Sequence, residues 1–228
     1  MIGILRRLST RDNSILILTL TALACLPIAL QKVLSDSALS LLFPVTILSA
    51  FTAYELASSG IRKIWALLIL LFLGPLILYI RIAQVGNALF DAIHVSLKVA
   101  SNIILSAQGS THISLDLSNL LLAGNHLLSQ SSGFGYRLYS WLAGIAQNKP
   151  GGDLAARAYV WSLGLWLIAA WASWQIRRYG KSLAGLTPAT LLLGLILYNT
   201  SPHSGILWLY LTAFILIVGI TNFENLVR

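Results

Sequence analysis

Residues 64–80 read IWALLILLFLGPLILYI and contain no charged side chain. At a rise of about 1.5 Å per residue, a helix of this length approaches the roughly 30 Å thickness of a bilayer's hydrocarbon core. Strands of a membrane barrel would instead alternate apolar and polar residues. The stretch does not alternate, so it predicts a membrane-spanning helix.

The rest of the chain extends this pattern. It is 57% hydrophobic and only 10% charged, with a mean hydropathy of +0.80. A soluble domain has about 25% charged residues, and so apolar a chain cannot hide its apolar surface in one water-soluble core. We therefore predict an all-α, polytopic membrane protein with one membrane domain, residues 1–228. About six spans are predicted, at residues 14–29, 38–57, 64–80, 156–176, 183–198 and 205–220.

The basic residues predict the orientation, because Lys and Arg accumulate in cytoplasmic loops. With the N-terminus inside, nine of the 15 basic residues lie in cytoplasmic segments, and Lys32 alone lies in the two short outer loops. The other five lie in or beside one long outer segment, residues 81–155, where the rule is weaker. We expect a plasma or inner membrane protein with both termini cytoplasmic. The net charge of +8 includes no run of five basic residues, so nucleic acid is not an expected partner.

The long outer segment carries helical periodicity. Residues 87–106, 112–128 and 136–147 predict three amphipathic helices lying on the outer leaflet or capping the bundle. The second has a predicted apolar face of Ile113, Leu117, Leu120, Leu121, Gly124 and Leu128. The alternative is that the first two helices form a further hairpin of spans, which gives eight spans in all.

The first outer helix has a narrow polar stripe that weighs against this alternative. Asp91, His94 and Lys98 would then sit near the middle of the membrane, where ionisable side chains are costly. After the outer helices, residues 150–152 (Pro-Gly-Gly) predict a turn, and Asp153 is the predicted N-cap of the next span.

Two pairs of side chains in this segment are the candidate metal ligands. Asp91 and His94 are three residues apart, and His112 and Asp116 are four apart, so each pair shares a helix face. If the two helices met, the four could hold a divalent metal. Solvated polar faces explain the same residues, and no HExxH pattern occurs. We therefore predict no metal and no other cofactor.

Glu55 is the only acidic residue inside a predicted span, and carboxylates at such positions are functional candidates. It lies in the last turn of its span, near Arg62 and Lys63. One interpretation is a snorkelling or interface-paired glutamate, and the other is a proton-coupling group.

Prolines and aromatic residues indicate where the predicted spans can kink and where one of them ends. Prolines 27, 44, 75 and 188 lie in four predicted spans, where each can kink its helix. In the fourth span, Tyr159 and Trp161 predict the outer headgroup level, and Trp171, Trp174 and Tyr179 predict the inner level. The tryptophans of this span point in scattered directions, so a ligand cage around Trp166 is not favoured.

No residue pattern predicts catalysis. The chain has neither a GxSxG motif nor a P-loop, and its single cysteine, Cys25, lies inside the first apolar block. We expect no catalytic residue and no enzyme activity in these 228 residues.

The sequence from residue 136 reads YRLYSWLAGIAQNKPGGDLAARAYVWSLGLWLIAAWASWQIRRYGKSLAGLTPATLLLGLILYNT. It resembles the N-terminal membrane region of bacterial transglutaminase-like membrane proteins. The resemblance rests on the Trp-rich stretch 166–174, the pair Arg177-Arg178 and the motif Leu-Thr-Pro-Ala at 186–189. It implies several helical spans, an amphipathic outer segment and, further along such proteins, an extracytoplasmic domain with a Cys-His-Asp triad. The chain is then either a truncated or split relative, or a protein in which only the membrane part has a counterpart, and Cys25 does not fit the nucleophile.

These observations predict a non-catalytic anchoring and scaffold module. Its spans and outer helices would position a partner, or a missing transglutaminase-like domain, at the outer membrane face. The expected partners are the bilayer and other membrane proteins. One alternative is an accessory subunit of a larger membrane complex. The other is a small-solute transporter, built from two oppositely oriented groups of three spans.

Overall fold

The described part of the chain is entirely helical. The structure, a computed structural model, describes residues 10–34, 40–107, 118–149, 151–199 and 204–227. Within these ranges there are eight helices and no strand. They are α1 (Thr10–Leu34), α2 (Leu42–Ser58), α3 (Lys63–Ile82), α4 (Gly86–Ala107), α5 (Ser118–Ala146), α6 (Leu154–Tyr179), α7 (Ser182–Asn199) and α8 (Ser204–Val227).

Each of the six predicted spans contains a helix, which in the second span begins at Leu42, but among the described residues only four of these helices are long and apolar enough, by length and composition, to cross a membrane. These four segments are Asn13–Gln31 in α1, Lys63–Ile82 in α3, Leu154–Tyr179 in α6 and Gly205–Phe223 in α8. The other two, α2 and the Ser182–Tyr198 part of α7, are shorter apolar helices. The 17 residues of α2 reach only about 25 Å, which is less than the hydrocarbon core.

Three of the four prolines in the predicted spans lie inside a helix, where a proline can kink it. Pro27, Pro75 and Pro188 lie inside α1, α3 and α7. Pro44 lies in the first turn of α2, which begins at Leu42. A proline is tolerated there, because the first N–H groups of a helix have no intrahelical acceptor.

The described residues fall into two compact units. The second unit is Leu76–Tyr159, and the first unit consists of the residues before and after it. In the first unit, α1 packs against α2, α7 and α8, and α7 also packs against α8. Two hydroxyl pairs join α7 to α8: Ser182 with Thr221 at 2.8 Å, and Thr190 with Tyr210 at 2.6 Å.

Trp166 of α6 connects three helices of the first unit. It is 1% exposed, and its indole Nε1 donates to the Leu70 carbonyl of α3 at 3.0 Å. Its own carbonyl accepts from Ser49 Oγ of α2 at 2.6 Å. Gly74 lies directly against the indole, and a Cβ built there would clash with the ring. The helices approach so closely here because residue 74 has no side chain.

The three aromatic residues at the end of α6 have different surroundings. Trp171 and Tyr179 are exposed, but Trp174 is buried. It packs in an apolar cluster whose other members are Ala53, Ala57, Ala66, Leu70 and Ala170. The small residues of α2 and α3 leave room for the indole. The helix ends at Tyr179, and the φ of +63° at the following Gly180 is a left-handed conformation that favours glycine.

The second unit contains a helical hairpin rather than three separate amphipathic helices. Helix α4 packs against α5, and α5 runs without a break for 29 residues through Ser131, Ser132 and Gly133. Serine and glycine at these positions are typical of a loop, which is why the sequence predicts two helices there. Residues 112–117, the start of the second predicted helix, lie outside the described residues.

The predicted apolar face of α5 is only partly turned towards the other described residues. Leu120 and Gly124 lie on the less exposed side, but Leu121 and Leu128 are 67% and 66% exposed. The less exposed residues follow the spacing of a helix packed along its whole length. They include Leu120, Gly124, Leu127, Ser131, Phe134, Leu138 and Trp141.

Candidate functional site

Phe134 is the aromatic centre of the second unit. Its ring is 5.6 Å from the Tyr79 ring of α3 and 5.5 Å from the Tyr159 ring of α6, measured between centroids. Both contacts are edge-to-face, with interplanar angles of 74°, which is a favoured arrangement for aromatic pairs. Phe134 itself is 4% exposed. The middle of α5 is therefore fixed to the last turns of α3 and to the first turns of α6.

An ion pair one turn beyond Phe134 adds a second link between α5 and α6. Arg137 Nε and Nη2 donate to the two carboxylate oxygens of Asp153 at 2.7 and 3.1 Å. Asp153 Oδ1 also accepts from the Ala156 N–H at 2.9 Å, which confirms the predicted N-cap. The hydrogen bonds from Arg137 hold the pKa of Asp153 below its ordinary value and raise the pKa of Arg137.

The α4–α5 hairpin also carries large apolar side chains that are exposed. We call them the hairpin surface, and their exposed fractions include 70% for Phe90 and 73% for Tyr136. On α4, Phe90, Ile93 and Leu97 recur at helical spacing and form one stripe. The members of the hairpin surface are Phe90, Ile93, Leu97, Leu121, Leu122, Leu128, Tyr136, Tyr139, Leu142 and Ile145.

The predicted polar stripe of α4 lies beside its apolar stripe. Asp91, His94, Lys98 and Ser101 are all exposed, and the His94 ring stacks on Phe90 at 6.5 Å between centroids. Helix α4 therefore has a face packed on α5, an exposed apolar stripe and an exposed polar stripe. A helix of this pattern suits the boundary between water and an apolar phase.

The four candidate metal ligands are only half described. Asp91 and His94 lie on the exposed polar stripe of α4, whereas His112 and Asp116 lie outside the described residues. Among the residues that the structure covers, no group of three or more His, Cys, Asp or Glu side chains could hold a metal ion.

Glu55 lies in the last turn of α2, as predicted, and is half-exposed. Its carboxylate forms no ion pair with another described residue, so the predicted pairing with Arg62 or Lys63 is not present there. The Glu55 carbonyl instead accepts from the Ser59 N–H and the Ser58 hydroxyl, which close the end of the helix. A snorkelling glutamate therefore fits this position better than an interface-paired one.

Basic residues surround the same end of the first unit. We call them the basic cluster: Arg62, Lys63, Arg177, Arg178 and Lys181. Lys63 Nζ lies 5.5 Å from the centre of the Tyr179 ring, and the Arg177 guanidinium lies 5.0 Å from the Tyr54 ring. These contacts bring the turn between α2 and α3 next to the end of α6.

Sequence reasoning missed Phe134 and the pairing of Gly74 with Trp166. The available signal for Phe134 was its place in the series Leu120, Leu127, Phe134 and Trp141, which repeats every seven residues. For Gly74, a glycine inside an otherwise apolar helix was a signal of close packing. Its partner in another helix, however, has no sequence signature.

Comparisons of the chain with protein-family models, with curated proteins and with solved structures found no match.

Proposed function

We propose that this chain is a multi-pass membrane anchoring and scaffold module without catalytic chemistry of its own. Its apolar helices hold it in the bilayer, and the α4–α5 hairpin offers the hairpin surface to a membrane-associated partner protein. The four helices long and apolar enough to cross a membrane support the anchoring part. The exposed apolar side chains of the hairpin support the scaffold part.

Six spans follow if α2 and α7 also cross. Each packs against α1, one of the four longer helices, so their buried sides belong to the same bundle. Bilayers accommodate a short apolar helix by local thinning or by snorkelling of the flanking residues, at modest cost. Six spans leave both termini on the cytoplasmic side with the basic cluster and place the hairpin outside. Eight spans, with α4 and α5 inserted, preserve the same parity.

The observation that carries the scaffold proposal is the attachment of α5. Phe134 joins it to the ends of two candidate spans, and the Arg137–Asp153 pair joins it again beside the start of α6. A hairpin that only covered lipid would need no such fixed attachment. A surface that positions a partner does, because loose attachment loses binding energy to ordering.

The resemblance to transglutaminase-like membrane proteins supports a particular kind of partner. In such proteins the membrane region carries an extracytoplasmic catalytic domain, and a separate protein with that domain would meet the hairpin surface from outside. The Trp-rich stretch 166–174 and the Arg177-Arg178 pair carry this resemblance.

Site-specific photo-crosslinking in the native membrane tests the scaffold function. A photoreactive residue is placed at Leu97 or Leu128 on the hairpin surface, and at Leu191 of α7 as an exposed apolar control outside the hairpin. The proposal predicts one discrete protein adduct from both hairpin positions and none from Leu191. Adducts with lipid alone at all three positions would refute the scaffold function.

A second candidate function is an accessory subunit inside a larger membrane complex. The exposed side of α3, with Ile64, Trp65 and Phe72 each more than 60% exposed, favours it, because another subunit's helix could pack there. The same photoreactive residue at Phe72 distinguishes the two functions. A stoichiometric adduct from Phe72 supports the subunit, and an adduct from the hairpin positions alone supports the scaffold module.

A further inference from the structure

The basic cluster gathers cations from two turns at one end of the first unit. Arg62 lies between α2 and α3, Lys63 is the first residue of α3, and Arg178 and Lys181 lie at the junction of α6 and α7. The contact between Lys63 and the Tyr179 ring holds the two turns together. Positive charge from separate parts of the chain is thus concentrated in one place.

Described carboxylates do not neutralise this charge. Arg62, Lys63, Arg178 and Lys181 form no ion pair with any of them, and Glu55, although it lies on α2 nearby in the sequence, forms none either. The second unit provides the contrast, since there Arg137 is paired bidentately with Asp153. These four cations of the basic cluster are therefore available to attract an external anion.

Arg178 has the most specific geometry in the basic cluster. Its guanidinium lies 5.0 Å from the centre of the Trp174 ring, and Trp174 is itself buried. Cation–π contact of this kind leaves the N–H donors of a guanidinium available for an oxyanion. Arg178 Nη1 is buried and has no hydrogen-bond acceptor among the described residues. Buried donors in native proteins are nearly always paired, so the hydrogen-bonding capacity of this guanidinium is not satisfied by the described residues.

We infer that the basic cluster binds the phosphate group of an anionic phospholipid, with Arg178 and Lys63 as its principal contacts. A phosphate oxygen would accept from the Arg178 guanidinium, and the Lys63 ammonium would supply a second charge-assisted hydrogen bond. This inference rests on the proposed insertion into a membrane.

The apolar residues next to Lys63 favour a lipid over a soluble phosphate. Ile64 and Trp65 follow it directly in α3 and are 71% and 62% exposed. A lipid headgroup bound by the cations would place its acyl chains along these side chains. A soluble phosphate would make no use of them. Basic pockets between membrane helices on the cytoplasmic side are known to hold anionic headgroups.

Native mass spectrometry of the purified full chain in mild detergent tests the inference. The chain is titrated with phosphatidylglycerol or with phosphatidylcholine, and the first lipid bound is quantified. We expect a preference for phosphatidylglycerol of at least about tenfold, and a loss of about tenfold in its affinity in Arg178→Gln or Lys63→Gln. The matched control is Arg81→Gln, which removes the same charge from the exposed other end of α3 and should retain the preference.

Three results would overturn the inference. They are equal binding of the two lipids, equal losses in Lys63→Gln and Arg81→Gln, and displacement of phosphatidylglycerol by millimolar inorganic phosphate, which would assign the cluster to a soluble anion. Lys63 is exposed, so its variant keeps the test valid if Arg178→Gln does not fold. Alkaline extraction of expressing membranes tests the insertion separately. A chain that resists extraction but shows no lipid preference loses only this inference.

Discussion

Replacing Gly74 by alanine tests the closest helix contact in the first unit. The new methyl group would overlap the indole of Trp166, which is buried. The indole Nε1 donates to the Leu70 carbonyl, and the backbone carbonyl of Trp166 accepts from the Ser49 hydroxyl. The indole cannot turn away without breaking the first of these bonds, so either α3 moves away from α6 or Trp166 leaves its site.

Both responses lower the free energy of unfolding. Overpacking a well-packed core costs about 1–3 kcal/mol. Displacing the indole would leave a buried donor unpaired, at about 1–3 kcal/mol more. The higher helix propensity of alanine returns up to about 1 kcal/mol. We expect a net loss of about 2–4 kcal/mol, which corresponds to a fall in the melting temperature of roughly 5–15 °C for a chain of this size.

The assay is thermal unfolding of the purified chain in mild detergent, followed by the loss of the monodisperse peak in size-exclusion chromatography. Gly194→Ala is the matched control. It lies in α7, and a Cβ built there meets no atom within 4 Å. The control should keep or slightly raise the melting temperature, because it gains helix propensity without a clash.

A double-mutant cycle tests whether the Trp166 indole causes the loss of stability in Gly74→Ala. In a Trp166→Leu background the indole is absent, so Gly74→Ala should cost less than about 1 kcal/mol. Equal costs of Gly74→Ala in the two backgrounds would mean that the indole does not cause the loss. The account of α3–α6 packing would then be wrong.

The other predictions concern the attachment of the hairpin and the packing of α7 on α8. Phe134→Leu removes two edge-to-face contacts, each contributing about 0.5–1.5 kcal/mol, so limited proteolysis should cut α5 faster than in the unchanged chain; an unchanged digestion rate would contradict this. Asp153→Asn keeps the N-cap but removes the exposed ion pair with Arg137, at about 0.3–1 kcal/mol. Because the folded pKa of Asp153 is lowered, the contribution of this pair is complete above about pH 4 and is lost as the pH falls through that pKa. The melting temperatures of the two proteins should therefore differ at pH 7 and converge in acid, and a difference that persists at low pH would refute the assignment. Thr190→Val breaks the 2.6 Å hydroxyl contact with Tyr210 and should lower the melting temperature by an amount equivalent to about 0.5–1.5 kcal/mol; no change would show that the pair contributes nothing to stability.

The local features of the fold follow from the sequence. The lack of charge in residues 64–80 predicts the helix Lys63–Ile82, because no side chain there favours water. Asp153 after Pro-Gly-Gly predicts an N-cap, and its oxygen accepts from the Ala156 N–H. Both depend on neighbours within a few residues, which a single sequence contains.

The features that depend on a distant partner do not follow. Trp174 and Trp171 look alike in the sequence, but small residues of α2 and α3 bury the first and leave the second exposed. The break predicted between residues 128 and 136 is absent, because packing of Phe134 between Tyr79 and Tyr159 holds the helix together. Tertiary contacts here outweigh the turn preference of serine and glycine.

The candidate site was predictable only in outline. The sequence identifies the outer segment as amphipathic and places Asp91 and His94 on an exposed polar stripe, as the structure does. It gives no signal that Phe134 contacts Tyr79 and Tyr159, nor that Arg178 lies over Trp174 with one buried nitrogen. Each is a contact between side chains whose geometry depends on the fold.

Labelling with a membrane-impermeant maleimide tests the central claim, that the chain crosses the bilayer with the hairpin outside and the basic cluster inside. In a Cys25→Ser background, one cysteine is placed at Ser132 on α5 or at Ser58 at the end of α2, both exposed positions. The account predicts that intact spheroplasts label the Ser132 position and that the Ser58 position labels only after permeabilisation. Labelling of Ser58 in intact spheroplasts, or protection of Ser132 before and after permeabilisation, would contradict it.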